Sequence, residues 1–482
     1  MTEQPTEGEI VGQARGVTVR RTSIKGLLLL ELDVHADRRG WFKENWHQAA
    51  MTAAGLPDFG PVQHSISFNA SAGTTRGIHA EPWDKLVSVG AGAFFGAWVD
   101  LRPGPGFATV FTAQITPGRA VFVPRGVGNA FQTTIDDTVY SYLVNDHWSP
   151  EAEYSMVNLA DPALAIEWPI PLDQAIRSDK DLAHPVLANA HPLPPRRTLV
   201  VGCGGQLGRA LRAALGDGPH TEYVDIDTFD MSDPAIRQAR NWREYDVIIN
   251  AAAYTAVDKA ETPEGRRIAW AANVGGVANL AHIATNAGAT LVHVSSDYVF
   301  DGTSTRPYLE TDQVAPLGVY AQTKAAGDAI VAGVPRHYIV RASWVIGDGH
   351  NFVRTMSDLA AKGIAPRVVD DQRGRLTFTD DLAAGIVHLL RSEAPYGLYN
   401  LTSTGQVHSW AEIAAQVFAL CGADPAQVTP VSTADYFAGA SGPVAPRPAS
   451  STLDLTKITS TGFRPHDADS HLAAYVASYL AR

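Results

Sequence analysis

The pattern of apolar and polar positions changes character near residue 190. Before that point, short β-like runs are separated by Gly, Pro and Asp: Leu27–Val34, Lys85–Leu101, Ala120–Pro124 and Thr138–Val144. Lys85–Leu101 is long enough for two strands that meet near Gly90–Gly92. Many short strands with few helical stretches predict a sandwich or barrel. After that point the period switches. Thr198–Val201 reads as a short buried strand, followed by a glycine-rich turn and the helical stretch Leu207–Leu215. Asp246–Ala253, Thr290–Val294 and Tyr338–Ala342 read as further strands, with the Ala-rich helical stretches Gly275–Ala287 and Thr323–Val331 between them. Strands alternating with helices predict a parallel sheet covered on both faces. Pro185, Pro192, Pro194 and Pro195 make the intervening segment read as a stiff connector. The expected organisation is a first domain over 1–182, a linker over 183–196 and a second domain over 197–482, with Pro430–Ser451 as loop.

Composition narrows the classes. The chain has 482 residues, 38 Lys+Arg against 50 Asp+Glu, and a formal net charge of −12. An acidic chain without a basic run is a poor general nucleic-acid binder. The run Leu27–Leu30 is far too short to span a bilayer, so no membrane partner is expected. The start is acidic, with Glu3, Glu7 and Glu9, and lacks a basic-then-apolar signal. Two cysteines, Cys203 and Cys421, exclude a disulfide scaffold or a Cys-rich zinc site and fit a reducing cytoplasm.

The second half carries the clearest chemistry. Gly202, Gly205 and Gly208 punctuate a turn that follows a strand and opens a helix, with Gln206 and Leu207 at the helix start. Glycine lets backbone approach a pyrophosphate, and a helix N-terminus supplies donors. Asp225 ends the next strand-like run. It reads either as an acceptor for a ribose hydroxyl or as a solvated turn residue. Tyr320 and Lys324 lie four apart on one helix face. A Lys cation lowers a nearby Tyr pKa toward working pH, and the Tyr can then protonate a ketone oxygen as hydride arrives. Ser296 ends a strand where its hydroxyl can hold that carbonyl. This set resembles the short-chain dehydrogenase/reductases.

Further motifs narrow the resemblance. Asn250-Ala251-Ala252-Ala253-Tyr254-Thr255-Ala256-Val257-Asp258, Ser296-Asp297-Tyr298-Val299-Phe300-Asp301-Gly302, Arg341-Ala342-Ser343-Trp344 and Asp370-Asp371-Gln372-Arg373-Gly374 are similar to the dTDP-4-dehydrorhamnose reductase family. The resemblance implies a Rossmann-like α/β domain with a small substrate lobe. It implies reduction of a C4 ketone on a dTDP-sugar by NADPH or NADH. It assigns Ala251 and Ala252 to the cofactor and Tyr254, Tyr298 and Trp344 to the sugar. Leu376 departs from the family, which usually has Pro there. Some family members use a metal at a subunit contact, but no ligand set for one is located here and none is expected.

In the first half a lone His79 has an obvious structural reading, and no His-x-His marks a metal site. Asp37-Arg38-Arg39-Gly40-Trp41-Phe42-Lys43-Glu44, Arg76-Gly77-Ile78-His79, Lys85-Leu86-Val87, Val99-Asp100-Leu101-Arg102 and Val123-Pro124-Arg125-Gly126 are similar to the dTDP-4-dehydrorhamnose 3,5-epimerases. That resemblance implies an all-β, cupin-type jelly roll that dimerises. It makes His79 the base, with Asp161 fixing its tautomer and Tyr142 reprotonating the other face. Lys85 and Arg76 then neutralise the enolate or diphosphate. Tyr140 shares a strand face with Tyr142; spacing to Pro150 favours Tyr142. Gly96 stands where the family has Asp, and Asn129, a candidate substrate contact, stands where it has His. The leading expectation is a multidomain, bifunctional enzyme that epimerises and then reduces. The alternative is an active reductase fused to an impaired or differently specific epimerase-like module.

Overall fold

The computed structural model describes residues 8–149 and 152–481. The acidic Glu3 and Glu7 and the spacing marker Pro150 lie outside them. The chain divides into two compact units, the first ending at Pro195 and the second beginning at Arg196.

The first unit is two antiparallel sheets. The seven-stranded sheet runs Ile10–Ala14, Val17–Arg21, Leu28–Leu32, Arg119–Val123, Lys85–Ala91, Thr138–Val144, Gln63–Asn69. The five-stranded sheet runs Val110–Ile115, Phe94–Asp100, Val127–Thr133, Thr75–Ala80, Ser155–Met156. Lys85–Leu101 does divide into two strands. Gly92 turns between them with φ +83°, and a Cβ there would lie 2.4 Å from the Thr138 hydroxyl. The inward faces meet in an apolar layer of Leu27, Leu29, Val87, Val121, Phe94, Trp98, Phe131 and Tyr140. The outward faces are covered too. Met51 and Leu56 pack on Leu28, Leu30 and Phe122, while Val157, Leu159 and Leu193 pack on Ile78, Val99 and Ala130. Burial on both faces explains continuous apolar runs such as Leu27–Leu30, where a half-exposed sheet would alternate.

The stretch read as a linker, 183–196, is not a free spacer. His184 and Leu193 are buried, the Leu187 N–H donates to Asp161, and Arg125 donates to the Pro194 carbonyl. Its prolines suit an extended path, but its apolar side chains make it a wall of the first unit.

The second unit holds a six-stranded parallel sheet. Its order is Thr221–Val224, Arg197–Val201, Tyr245–Asn250, Thr290–Ser296, His337–Ala342, Gly397–Asn400. The chain leaves Arg197–Val201 toward one edge and returns on its other side. The crevice at the strands' carboxyl ends there is where such sheets bind ligands. Apolar clusters cover both faces. A third core, around Val353, Phe378, Val417, Phe418 and Leu472, builds a smaller lobe. The expected loop Pro430–Ser451 includes a short helix, Thr433–Phe437, which Ser432 caps through the Asp435 N–H. Among the described residues, no helix is long and apolar enough to cross a membrane.

Candidate functional site

In the second unit, strand Arg197–Val201 runs into the glycine turn and helix Gln206–Leu215. Gly202 has φ +83°, and a Cβ there would lie 2.7 Å from the Ala252 nitrogen. At Gly208 a Cβ would lie 2.1 Å from the Gly202 carbonyl oxygen. Gly208 therefore serves helix–turn packing and does not line the cavity. No side chain caps this helix, which leaves its first-turn N–H groups to a ligand. The Asp225 carboxylate accepts from the Gly204 N–H at 2.7 Å and from the Ile226 N–H at 2.8 Å.

A cavity of about 840 Å³ opens over this turn. Its walls include Gly202, Gly205, Gln206, Leu207 and Asp225 at one end. Ala251, Ala252 and Tyr254 follow, then Ser296, Tyr298, Tyr320, Lys324 and Trp344. Every expected reductase residue except Gly208 thus meets in one space. The size, the uncapped helix start and the Gly202 approach fit a nicotinamide dinucleotide beside a sugar.

The electrostatics differ from expectation at one point. Burial pushes the Tyr320 hydroxyl up to about 12, although a hydrogen bond with Ser296 pulls the other way. Lys324 does not lower it toward neutrality. Burial brings the Lys324 ammonium down to about 8, opposed by Asp328, and its Nζ donates to the Val294 carbonyl at 2.7 Å. Buried Asp297 is pushed up to about 6 by desolvation, against hydrogen bonds from Ser451, Ser343 and Ser296. Tyr298 lies edge-on to Tyr320 at 6.1 Å. Its hydroxyl is raised by burial and by Asp297, while Arg447, itself paired to Asp258 at 2.8 Å, lowers it. Trp344, at φ +45°, stacks on Trp410 with centroids 3.8 Å apart. Trp410 and Arg447 escaped the sequence reading, and Asp297 was read only as a member of the motif around Ser296. Of the first two, Trp410 alone had a signal, as an aromatic directly after the helix-capping Ser409.

In the first unit, His79 lies on the strand face opposite Ile78 and Ala80, which belong to the outer cluster. It pairs across the ladder with Asn129, which pairs in turn with Trp98. Lys85 and Tyr142 lie on the other sheet, with the Lys85 ammonium 4.7 Å from the Tyr142 ring centroid. Glu81 forms an ion pair with Lys85. Tyr140 is fully buried, stacked on Phe131 at 4.1 Å, and its hydroxyl accepts from Asn129 at 3.0 Å. Burial raises its pKa strongly. Tyr142 is only half-buried. Arg76 is exposed on the His79 strand.

Asp161 does not hold His79. Its carboxylate caps the turn Pro162–Leu164 through the Ala163 N–H and accepts from the Leu187 N–H at 2.5 Å. An Asp-Pro pair at a helical start suits this capping role. The His79 partner is Asp181, whose Oδ1 lies 3.1 Å from Nε2. Burial would raise the Asp181 carboxyl, but the hydrogen bond and charge of His79 bring it below the usual range. His184 sits edge-on to His79 at 5.1 Å, with its Nε2 3.8 Å from the same Asp181 oxygen. Burial and the His79 charge keep His184 below the usual histidine range.

Comparison with known proteins divides at the same place. Residues 196–481 match the family model "RmlD substrate binding domain", and residues 21–189 match "dTDP-4-dehydrorhamnose 3,5-epimerase". A dTDP-4-dehydrorhamnose reductase of Mycobacterium tuberculosis is 41% identical over 261 residues, covering 52% of this chain and 82% of that protein. A protein RmlC homolog of Streptococcus pyogenes is 44% identical over 180 residues, covering 36% of this chain and 90% of that protein. The crystal structure of a dTDP-4-dehydrorhamnose reductase from Bacillus anthracis in complex with NADP is 31% identical, with TM-score 0.54, over 59% of this chain and 99% of that one.

Proposed function

Since the chain belongs to the RmlD substrate binding domain family and to the dTDP-4-dehydrorhamnose 3,5-epimerase family, we propose that it is a bifunctional enzyme making dTDP-L-rhamnose. The first unit epimerises C3 and C5 of dTDP-4-dehydro-6-deoxy-glucose. The second reduces the C4 ketone. The observation that carries this reading is the meeting of Ser296, Tyr320 and Lys324 with the glycine turn in one cavity.

In the first unit, His79 takes a proton from the carbon beside the ketone, and Asp181 supports the imidazolium that results. Lys85 stabilises the enolate, and Tyr142, on the facing sheet, returns a proton from the other side of the sugar. Arg76 and Asn129 contact the substrate. In the second unit the glycine turn and the uncapped start of helix Gln206–Leu215 would hold NADPH, which would supply the hydride for C4. Ser296 donates to the ketone oxygen and Tyr320 gives it a proton, so the alcohol forms without a free alkoxide. A raised Tyr320 pKa keeps this acid protonated between turnovers. Removing the C4 carbonyl also removes the acidity of C3 and C5, which makes the epimerised configuration permanent.

The jelly-roll unit pairs with a second copy. Gln63–Asn69 is an edge strand whose Ile66 and Phe68 are 64% and 60% exposed, an aggregation hazard unless covered. The two free cysteines fit a cytoplasmic enzyme.

A second reading keeps the reductase and gives the first unit another sugar or a binding role. Gly96 and Asn129 favour it, because the Trp98 ring fills the space beside Gly96. Product analysis separates the two. Incubated with dTDP-4-keto-6-deoxyglucose and NADPH, the full chain yields the L-rhamno sugar under the first reading. Under the second it yields only the unepimerised 6-deoxyhexose.

A further inference from the structure

A cluster outside both sites brings two helix starts of the second unit together. Asp380 and Asp381 lie in the first turn of helix Thr379–Arg391. His466 and His471 flank the start of helix Ala468–Leu480. One ligand atom each from Asp381, His466 and His471 lies within 4.8 Å of the other two. The His466 N–H donates to Asp381 Oδ2 at 2.9 Å, and its Nδ1 bonds Asp381 Oδ1. His471 Nδ1 is buried, lacks a hydrogen-bond partner and stands 3.7 Å from Asp381 Oδ2. Its Nε2 bonds Asp380 at 3.1 Å, and its ring stacks on Phe378 at 4.0 Å.

This is how a metal-binding imidazole is usually prepared. One ring nitrogen is fixed by a carboxylate and the other is turned toward the ion. A tetrahedral Zn²⁺ with bonds of 2.0–2.1 Å separates its ligand atoms by about 3.3 Å. The cluster reaches that spacing mainly by movement of His466, whose side chain is 72% exposed. Two carboxylates, Asp380 and Asp381, face the two imidazoles here, and a dication beside neutral imidazoles balances their charge. The positive helix start opposes a cation, but two adjacent carboxylates outweigh it. Two imidazoles and one carboxylate suit Zn²⁺ or Co²⁺, and not Mg²⁺ or Ca²⁺, which want oxygen alone.

We propose that Asp381, His466 and His471 bind one Zn²⁺-type cation that ties the C-terminal helix to helix Thr379–Arg391, with Asp380 orienting His471. None of these residues lines the nucleotide cavity, so the ion's role is structural.

The test is metal binding by the full chain stripped with a chelator. His79, Asp181 and His184 form a second possible cluster, so every sample carries His79→Ala. Zn²⁺ uptake is read by equilibrium dialysis, Co²⁺ geometry by visible absorption, and stability by calorimetry with and without Zn²⁺. One ion is expected per chain, with a four-coordinate Co²⁺ spectrum and a Tm that rises with Zn²⁺ but not with Mg²⁺. His466→Ala changes an exposed side chain and His471→Gln keeps the ring site polar. Each is expected to weaken Zn²⁺ binding at least about tenfold and to abolish the Tm rise. No uptake at micromolar Zn²⁺, or uptake unchanged in both variants, overturns the proposal.

Discussion

Asp181 Oδ1 lies 3.1 Å from His79 Nε2 across 102 residues of chain. Asp161, the acid that the family resemblance suggested for this role, instead caps a turn. The two acids therefore separate by phenotype. Asp181→Asn removes the charge that supports the imidazolium and is expected to slow epimerisation about 10²–10⁴-fold. It should leave reduction of pre-epimerised sugar unchanged. Asp161→Ala is expected to hold epimerisation within a few-fold and to cost about 0.5–2 kcal/mol of stability. Proton exchange at C3 and C5, with thermal unfolding of both variants, checks the pair.

The buried Lys324–Tyr320 arrangement sets the pH dependence of reduction. Lys324 sits at about 8 and Tyr320 at about 12. The ammonium favours charge on the Tyr320 oxygen as its proton leaves, so the active form carries protonated lysine. Raising the pH through about 8 removes that charge while Tyr320 stays protonated. The reductase kcat/KM, which reports the free enzyme, is expected to be flat below pH 8 and to fall above it. A rate that rises through pH 8 would point to neutral lysine as the working form.

Tyr320→Phe is expected to lower reduction about 10²–10⁴-fold while NADPH binding, followed by fluorescence titration, is retained. The ring stays to line the cavity; only the proton is lost.

Gly96 and Trp98 behave as one unit. A Cβ at Gly96 would lie 2.2 Å from the Trp98 ring, so Gly96→Asp is expected to destabilise the first unit by about 1–3 kcal/mol. Combined with Trp98→Ala, which frees the space, Gly96→Asp should cost less than it does alone. Denaturant unfolding of the four proteins of this cycle measures the coupling.

Local features were legible in the sequence because each rests on one element. Glycine spacing identified a strand–turn–helix, Tyr320 and Lys324 fell on one helix face, and Ser296 ended a strand. What stayed hidden depends on tertiary packing. His79 and Asp181 come together only when the tail of the first unit folds back over its sheet. Trp410 reaches Trp344 only across the small lobe. The stretch 183–196 looked like a spacer from its prolines, but Leu193 and His184 decide its course. Counting charges predicted a lowered Tyr320 pKa, yet burial raises it against the Ser296 hydrogen bond, and the Lys324 ammonium is directed to the Val294 carbonyl.

The central claim is that both sites act in series on one sugar. The most direct test runs wild type and His79→Ala in D₂O with dTDP-4-keto-6-deoxyglucose and NADPH, following NADPH loss and deuterium at C3 and C5. Wild type is expected to place deuterium at both carbons and yield the L-rhamno product, and His79→Ala to do neither. Reduction by wild type without deuterium at C3 or C5 would contradict the account, leaving the first unit a binding module or an enzyme for another sugar.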